Sequence, residues 1–293
     1  MHGNTVDILY RPKLKAPILI AGFRGWSDVL GVSTGLLAYL IRKLNSDRFA
    51  RLSTDHFFQY DRERPSVTIE HGTINNYRPS GGSFYAVTSP DLQRDLIIFR
   101  GDEPGLAWDL FARTVFDLCE DLGVDTAISI GGVFDQVLHT ERLISSIVSN
   151  PALLQPIKRF GVVPTSYSGP AAIHTVLQET GTARKLDCYS FWCHCPIYIQ
   201  NARHYGYISD LGNLIAQLGD FNLDVGELEL SWQKMVERID HMVAQNEDLQ
   251  EIVRKIESSS AHVPAGAVTP ASVTDSNVID LKDFLPPPAP EQP

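Results

Sequence analysis

Short apolar runs that close on glycine alternate along this chain with stretches of helical period, and that alternation sets the fold class. Pro17-Ile18-Leu19-Ile20-Ala21-Gly22 reads as a buried strand feeding the turn Phe23-Arg24-Gly25-Trp26-Ser27. A helix is predicted next, with Asp28 as its N-cap and Leu30, Leu37, Leu40, Ile41 and Leu44 on one apolar face. From Phe57 to Val87 the pattern shortens to β-rich pieces, Val67-Thr68-Ile69, Ile74-Asn75-Asn76-Tyr77 and Phe84-Tyr85-Ala86-Val87, separated by His71-Gly72 and Ser80-Gly81-Gly82, which predicts hairpins. Leu96-Ile97-Ile98-Phe99 is a second buried strand. After Arg100-Gly101-Asp102-Glu103-Pro104 comes a helix carrying Leu110, Phe111, Thr114, Val115, Leu118 and Leu122, closed by Gly123. Val124 to Ile130 gives a third strand, closing on Gly131-Gly132. This β-α-β order implies parallel neighbours and a right-handed crossover. A loop or helix passes through Pro151-Ala152-Leu153-Leu154, a helix runs from Ala171 to Glu179 and stops at Gly181, and Leu186 to Cys195 forms a strand ending at Pro196.

Beyond Gly219 the period changes. Leu228, Trp232, Met235, Ile239, Met242, Leu249, Val253 and Ile256 follow an alternating spacing of four and three, interrupted at Asn246. Either one long helix carries a buried Asn246, or Asn246 caps a second helix with Glu247 and Asp248 in its first turn; the break is the preferred reading. Residues after Ser258 are rich in Pro, Ser, Ala and Val, a composition that favours extended, solvated backbone and predicts a disordered tail. Within it, Val278 to Leu285 is an apolar-acidic island that offers a docking segment. The organisation expected is an α/β domain over 1–219, a helical segment over 220–258 and a Pro-rich tail over 259–293.

Charge and composition narrow the function. The formal net charge is -10, and no dense run of Lys and Arg is present to neutralise neighbouring phosphates, so nucleic acid is not an expected partner. Met1 to Asn4 lacks a basic and then apolar leader, and no apolar run approaches the roughly 18 residues that span a bilayer, so a cytoplasmic protein with no membrane partner is expected. The four cysteines, Cys119, Cys188, Cys193 and Cys195, are too few and too clustered for a disulfide framework and read as reduced thiols.

Three constellations carry possible chemistry. Cys188, Cys193, His194 and Cys195 supply zinc-type ligands, but strand alternation sends His194 to the face opposite Cys193 and Cys195, so no metal is expected. Gly31-Val32-Ser33-Thr34-Gly35 matches G-x-S-x-G, with Asp135 and His139 or His174 following in hydrolase order. That motif needs its serine at a strand-to-helix turn, whereas Ser33 falls inside the helix. Finally, the turn at Arg24, Gly25, Trp26 and Asp28 ends one strand, and Arg100, Asp102, Glu103, Gly131 and Gly132 end its neighbours. Ligands of open α/β sheets bind beyond such carboxyl ends, so these nine residues form a candidate cleft with anion-binding N–H groups.

Several stretches together resemble the proteasome assembly chaperone 2 family. Gly25-Trp26-Ser27-Asp28 is similar to its Gly-Trp-Asn-Asp opening, and Arg100-Gly101-Asp102-Glu103-Pro104-Gly105-Leu106-Ala107-Trp108 to its Arg-Gly-x-Glu-Pro-x-x-x-Trp stretch. Gly169-Pro170 before a helix, Trp192-Cys193-His194-Cys195-Pro196 and the acidic C-terminal helices also have counterparts, so the similarity spans roughly residues 16–257. What the resemblance implies is a three-layer α/β/α fold akin to nucleoside phosphorylases, with a mostly parallel mixed sheet, C-terminal helices and self-association, a trimer being preferred. It further implies a non-catalytic, assembly-chaperone-like protein binder without cofactors, engaging another protein through the C-terminal helices or tail. Some relatives end in a hydrophobic-Tyr-x motif that enters proteasome pockets; Pro290-Glu291-Gln292-Pro293 departs from it. The competing reading is a small-molecule binder or enzyme of nucleoside-phosphorylase type, with an anion site at the first strand-turn-helix.

Overall fold

Alternation along the first long strand decides the architecture, because Ile18 and Ile20 enter one buried apolar cluster while Leu19, Ala21 and Phe23 enter another. Such a strand must be covered on both faces. The computed structural model of the chain describes residues 5–52, 56–61, 64–89, 92–259 and 279–280. In chain order, β1 (Val6–Ile8), β2 (Ile18–Arg24), α1 (Val32–Lys43) and β3 (Asp47–Leu52) precede a hairpin of β4 (Ser66–Glu70) and β5 (Thr73–Arg78). Then come β6 (Gly82–Val87), β7 (Leu96–Asp102), α2 (Trp108–Asp121), β8 (Thr126–Asp135), β9 (Ile144–Val148), α3 (Leu154–Ile157) and β10 (Val163–Pro164). The chain continues through α4 (Ile173–Ala183), β11 (Asp187–Pro196), β12 (Ile199–Gln200), α5 (Tyr205–Gly219), α6 (Gly226–Gln245), α7 (Glu247–Ser259) and β13 (Ile279–Asp280).

Nine strands form one sheet in the order β1-β3-β6-β7-β2-β8-β11-β9-β10. The central four, β7, β2, β8 and β11, are mutually parallel, whereas β6, β3 and β1 continue one edge in antiparallel fashion. Gly22 lies opposite both Arg100 and Ile130, so the three apolar runs ending near Gly22, Phe99 and Ile130 are side by side, as predicted. Leu36 and Leu40 of α1, Leu211 and Leu214 of α5, Trp232 and Ile239 of α6, and Leu249 and Ile256 of α7 share the cluster of Ile18 and Ile20. Phe111 and Val115 of α2, with Ile173 and Leu177 of α4, cover the other face. The result is the expected three-layer α/β/α fold.

Several boundaries differ from the sequence reading, each for a physical reason. The strands run past the apolar runs: β2 reaches Arg24, β7 reaches Asp102, and β8 passes through Gly131-Gly132 to Asp135. Backbone pairing continues there although the side chains turn small or polar. Helix α1 starts at Val32 rather than beside Asp28, because Leu30 and Gly31 take left-handed backbone angles and form a tight turn first. Gly181 does not stop α4; a β-carbon there would stand 2.5 Å from Cys188 Sγ, so glycine permits the helix to approach the sheet. The segments β3, β9 and α5 had no sequence expectation.

The break at Asn246 is present. Its side-chain oxygen accepts hydrogen bonds from the backbone N–H groups of Asp248 (3.0 Å) and Leu249 (3.2 Å), starting α7. Of the apolar-acidic island, Ile279 and Asp280 pair in parallel with Ile199 and Gln200; Val278, residues 281–285 and the rest of the predicted tail after Ser259 lie outside the described residues. Among those described, no helix is long and apolar enough to cross a membrane.

Candidate functional site

The parallel strands bring most of the predicted cleft residues to one end of the sheet. Arg24 closes β2 directly opposite Asp102, and its Nε lies 2.7 Å from Asp102 Oδ1. The second carboxylate oxygen of Asp102 accepts from the Gly81 N–H at 2.9 Å, tying the β6 approach to the same point. Glu103 N–H donates to Arg24 O, and Gly25 packs against Glu103 so tightly that a β-carbon would sit 2.9 Å from Glu103 Cβ. Trp26, next in the turn, points outward and is 58% exposed.

Two carboxylates from the chain itself occupy the helix starts at this end. Asp28 Oδ1 accepts from Thr34 N–H (3.1 Å) and Oδ2 from the Thr34 hydroxyl (2.5 Å), so it caps α1 from a turn away. Burial pushes the Asp28 pKa up, and the hydrogen bonds from Thr34 and Ser33 pull against that shift. Glu103 Oε1 likewise accepts from Ile173 N–H in the first turn of α4, at 3.1 Å. Thr34 N–H and Ile173 N–H, which would otherwise be open to an anion, are thus already bonded. Gly132 sits beside Asp28 in an isolated bridge and donates to Ser27 O at 2.7 Å. Gly131 lies instead beneath the Trp192 ring, 2.8 Å from where its β-carbon would be, and Arg100 lies within β7 opposite Gly22 and Ser83.

The other constellations resolve differently. Cys193 and Cys195 join the core on one side of β11, and among the described residues no group of three or more His, Cys, Asp or Glu is placed to hold a metal. Ser33 is buried, its Oγ accepting from Phe23 N–H at 3.1 Å. His139 bridges the Tyr198 hydroxyl (2.7 Å) and Asp240 of α6 (2.9 Å), a tie between body and C-terminal helix. His174 lies between Phe23 and Trp192 and donates from Nε2 to Ile130 O at 2.9 Å; burial pushes its pKa down to about 4. His204 accepts from Tyr207 N–H at 3.1 Å and stacks on Trp232, and burial pushes it down to about 3.

Asp135 does pair with a histidine, but with His194, which in turn meets Ser145 on β9. Sequence spacing offered no signal for this set, because β9 was not predicted and its serine lies two strands from Asp135 in the sheet order.

Apolar side chains also face solvent. On the β4–β5 hairpin, Val67 pairs with Tyr77 and Ile69 with Ile74, and all four are between 49% and 67% exposed. An isolated two-stranded hairpin gains little in water, so an apolar face on one is a surface awaiting cover.

A nine-stranded α/β/α sandwich with its parallel strands at the centre and acid-capped helix starts defines the class. The chain belongs to the PAC2 family, whose model matches residues 22–243. Among solved structures, a PAC2 family protein from Streptomyces avermitilis is similar, with 25% identity, a TM-score of 0.72 and coverage of 81% of this chain and 99% of that one. A Mycobacterium tuberculosis proteasome-assembly chaperone homologue matches at 21% identity and TM-score 0.74, covering 80% and 99% of the two chains. A Pyrococcus furiosus archaeal proteasome activator matches at 20% identity and TM-score 0.66, covering 81% and 98%. No curated protein matches the sequence.

Proposed function

We propose that this protein is a cytoplasmic, self-associating, assembly-chaperone-like binder of other proteins. The observation that carries the reading is the solvent-facing apolar set of Val67, Ile69, Ile74 and Tyr77 on a projecting hairpin, with exposed Trp26 in the first turn. Aromatic and branched apolar side chains of this kind supply the buried centre of protein interfaces. Family membership supports it, since similar folds include a proteasome-assembly chaperone homologue and a proteasome activator. The apolar stripe of α6 and α7 is spent largely on the body, because Leu228, Trp232, Met235, Ile239, Leu249 and Ile256 are buried against it. The hairpin and Trp26 are therefore the stronger docking elements for a client, with self-association, as a trimer, assigned to the α/β body.

Nucleoside or phosphate binding at the first turn is the weaker reading, because Asp28 takes the Thr34 N–H, Glu103 takes the Ile173 N–H and Asp102 takes Arg24 Nε. Cross-linking in native lysate followed by mass spectrometry tests the proposal. Partner peptides joined near residues 66–78 or Trp26 are expected, and they should be depleted in Ile69→Ser/Ile74→Ser and Trp26→Ala chains of unchanged melting temperature. Recovery of contacts only between copies of this chain would sink the client-binding reading, as would a thermal upshift with phosphate or nucleosides alone.

A further inference from the structure

We propose that Thr165 is an acyl-accepting nucleophile, served by a directed hydrogen-bond chain through Ser145 and His194 to Asp135. Strands β8, β11 and β9 are consecutive in the sheet, and the register sets Asp135 opposite Pro196 and Ser145 opposite Trp192, so both are diagonal neighbours of His194. Asp135 Oδ2 is 2.7 Å from His194 Nδ1, His194 Nε2 is 2.9 Å from Ser145 Oγ, and Ser145 Oγ is 3.0 Å from Thr165 Oγ1. Valence fixes the direction of each proton in the neutral ring. A carboxylate only accepts, so Nδ1 carries the hydrogen; Nε2 then accepts, so Ser145 gives its single proton to it. Ser145 is left to accept the Thr165 hydroxyl proton. Every donor in the chain therefore points toward Asp135, and electron density is pushed toward Thr165 Oγ1.

Access follows the same direction. His194 and Ser145 are fully buried and Asp135 nearly so, whereas Thr165 is half-buried and opens the exposed stretch 166–171. A hydrogen bond from Thr165 N–H to Ser146 O holds the threonine against β9. Asp135 is the last residue of β8 and His194 lies near the end of β11, the carboxyl ends where open α/β sheets take ligands.

With an ester as acyl donor, Thr165 Oγ1 forms a bond to the carbonyl carbon and the bond from that carbon to the alcohol oxygen breaks. The Thr165 proton passes to Ser145 as the Ser145 proton passes to His194, giving an imidazolium held by Asp135. Returned along the chain, that proton goes to the departing alkoxide as an alcohol, and water later releases the carboxylic acid by the same relay. Thr165 is the group that touches the acyl donor; Ser145, His194 and Asp135 act through it as positioning residues.

The test is p-nitrophenyl acetate with the full chain, followed by peptide mapping of the acetyl group. Acetylation of Thr165 is expected about 100-fold faster than on a threonine peptide, within the usual span of acid–base assistance. Thr165→Ser should retain it and Thr165→Val abolish it. Ser145→Ala and His194→Gln should slow it about 100-fold, and the rise of the wild-type rate with pH should flatten in His194→Gln. Acetyl on lysines, Ser166 or Ser168 but not Thr165 would overturn the proposal, as would a Thr165 rate that Ser145→Ala leaves unchanged. Should His194→Gln not fold, Ser145→Ala, which removes one oxygen, decides. Failure here leaves the protein-binding reading untouched, since that rests on the hairpin and Trp26.

Discussion

Lowering the pH from 7 to 5 should strip stability from this fold through two histidines that are buried without charge. His174 and His204 have folded pKa values pushed by burial to about 4 and about 3, from an ordinary value of 6.5. Both folded values lie below the unfolded one, so the unfolded chain binds protons first. Their stabilising contribution is complete above 6.5 and is lost as pH falls through the window from 6.5 toward 4 and 3. Between pH 7 and pH 5 each histidine forfeits roughly 1.5 pK steps at about 1.4 kcal/mol apiece, hence about 2 kcal/mol each and about 4 kcal/mol together. That is a large part of the roughly 5–15 kcal/mol by which domains are stable. The decisive variant is His204→Asn, because asparagine also accepts at a helix start, as His204 does for Tyr207, yet cannot take up the proton. Urea midpoints are measured for both chains at pH 7 and pH 5, and only the change with pH is compared, since the variant also gives up the stack on Trp232. The variant should lose about 2 kcal/mol less than the wild type between the two pH values. Equal losses would refute the reasoning and place the acid sensitivity elsewhere.

Four further outcomes follow from the structure. Asp28→Ala leaves the Thr34 N–H and hydroxyl without their acceptor and should cost about 1–2 kcal/mol, seen as a lower melting temperature. Because burial raises the folded pKa of Asp28, the native state holds that proton more tightly, so wild type should gain on Asp28→Asn as pH falls through the raised pKa; a constant gap across an acid series would contradict this. Gly131→Ala pushes a β-carbon to within 2.8 Å of the Trp192 ring and should destabilise by about 1–3 kcal/mol, with an altered near-ultraviolet dichroism band from that tryptophan. All four cysteines are buried, and burial pushes the Cys119 and Cys188 thiols up to about 12, so a thiol reagent at pH 8 should find none of them until urea unfolds the chain.

What was legible in the sequence is what local pattern encodes. The apolar runs at Ile18, Leu96 and Thr126 gave the parallel centre of the sheet, and Asn246 announced the start of α7 because its cap is made within three residues. Charge and sheet edges conceal more. β3 and β9 escaped because one groups its charged and apolar residues in adjacent pairs, Asp47-Arg48 and Phe49-Ala50, with a register shift between Arg48 and Ala50, and the other carries Ser145 and Ser146 at its middle; such patterns become strands only when β6 and β11 supply their partners. The candidate site shows the same limit. Position at the strand ends could be read from glycines, but occupancy could not, since it depends on Asp28 reaching Thr34 and on Glu103 crossing to Ile173 from an element 70 residues away. Both acids sit in stretches that sequence alone reads as anion-friendly turns. Their side chains change the electrostatics of that end, because the Thr34 and Ile173 N–H groups are satisfied from within the chain. The fold can therefore keep the outline of a ligand-binding α/β protein while the hairpin and Trp26 carry some of its most exposed apolar side chains.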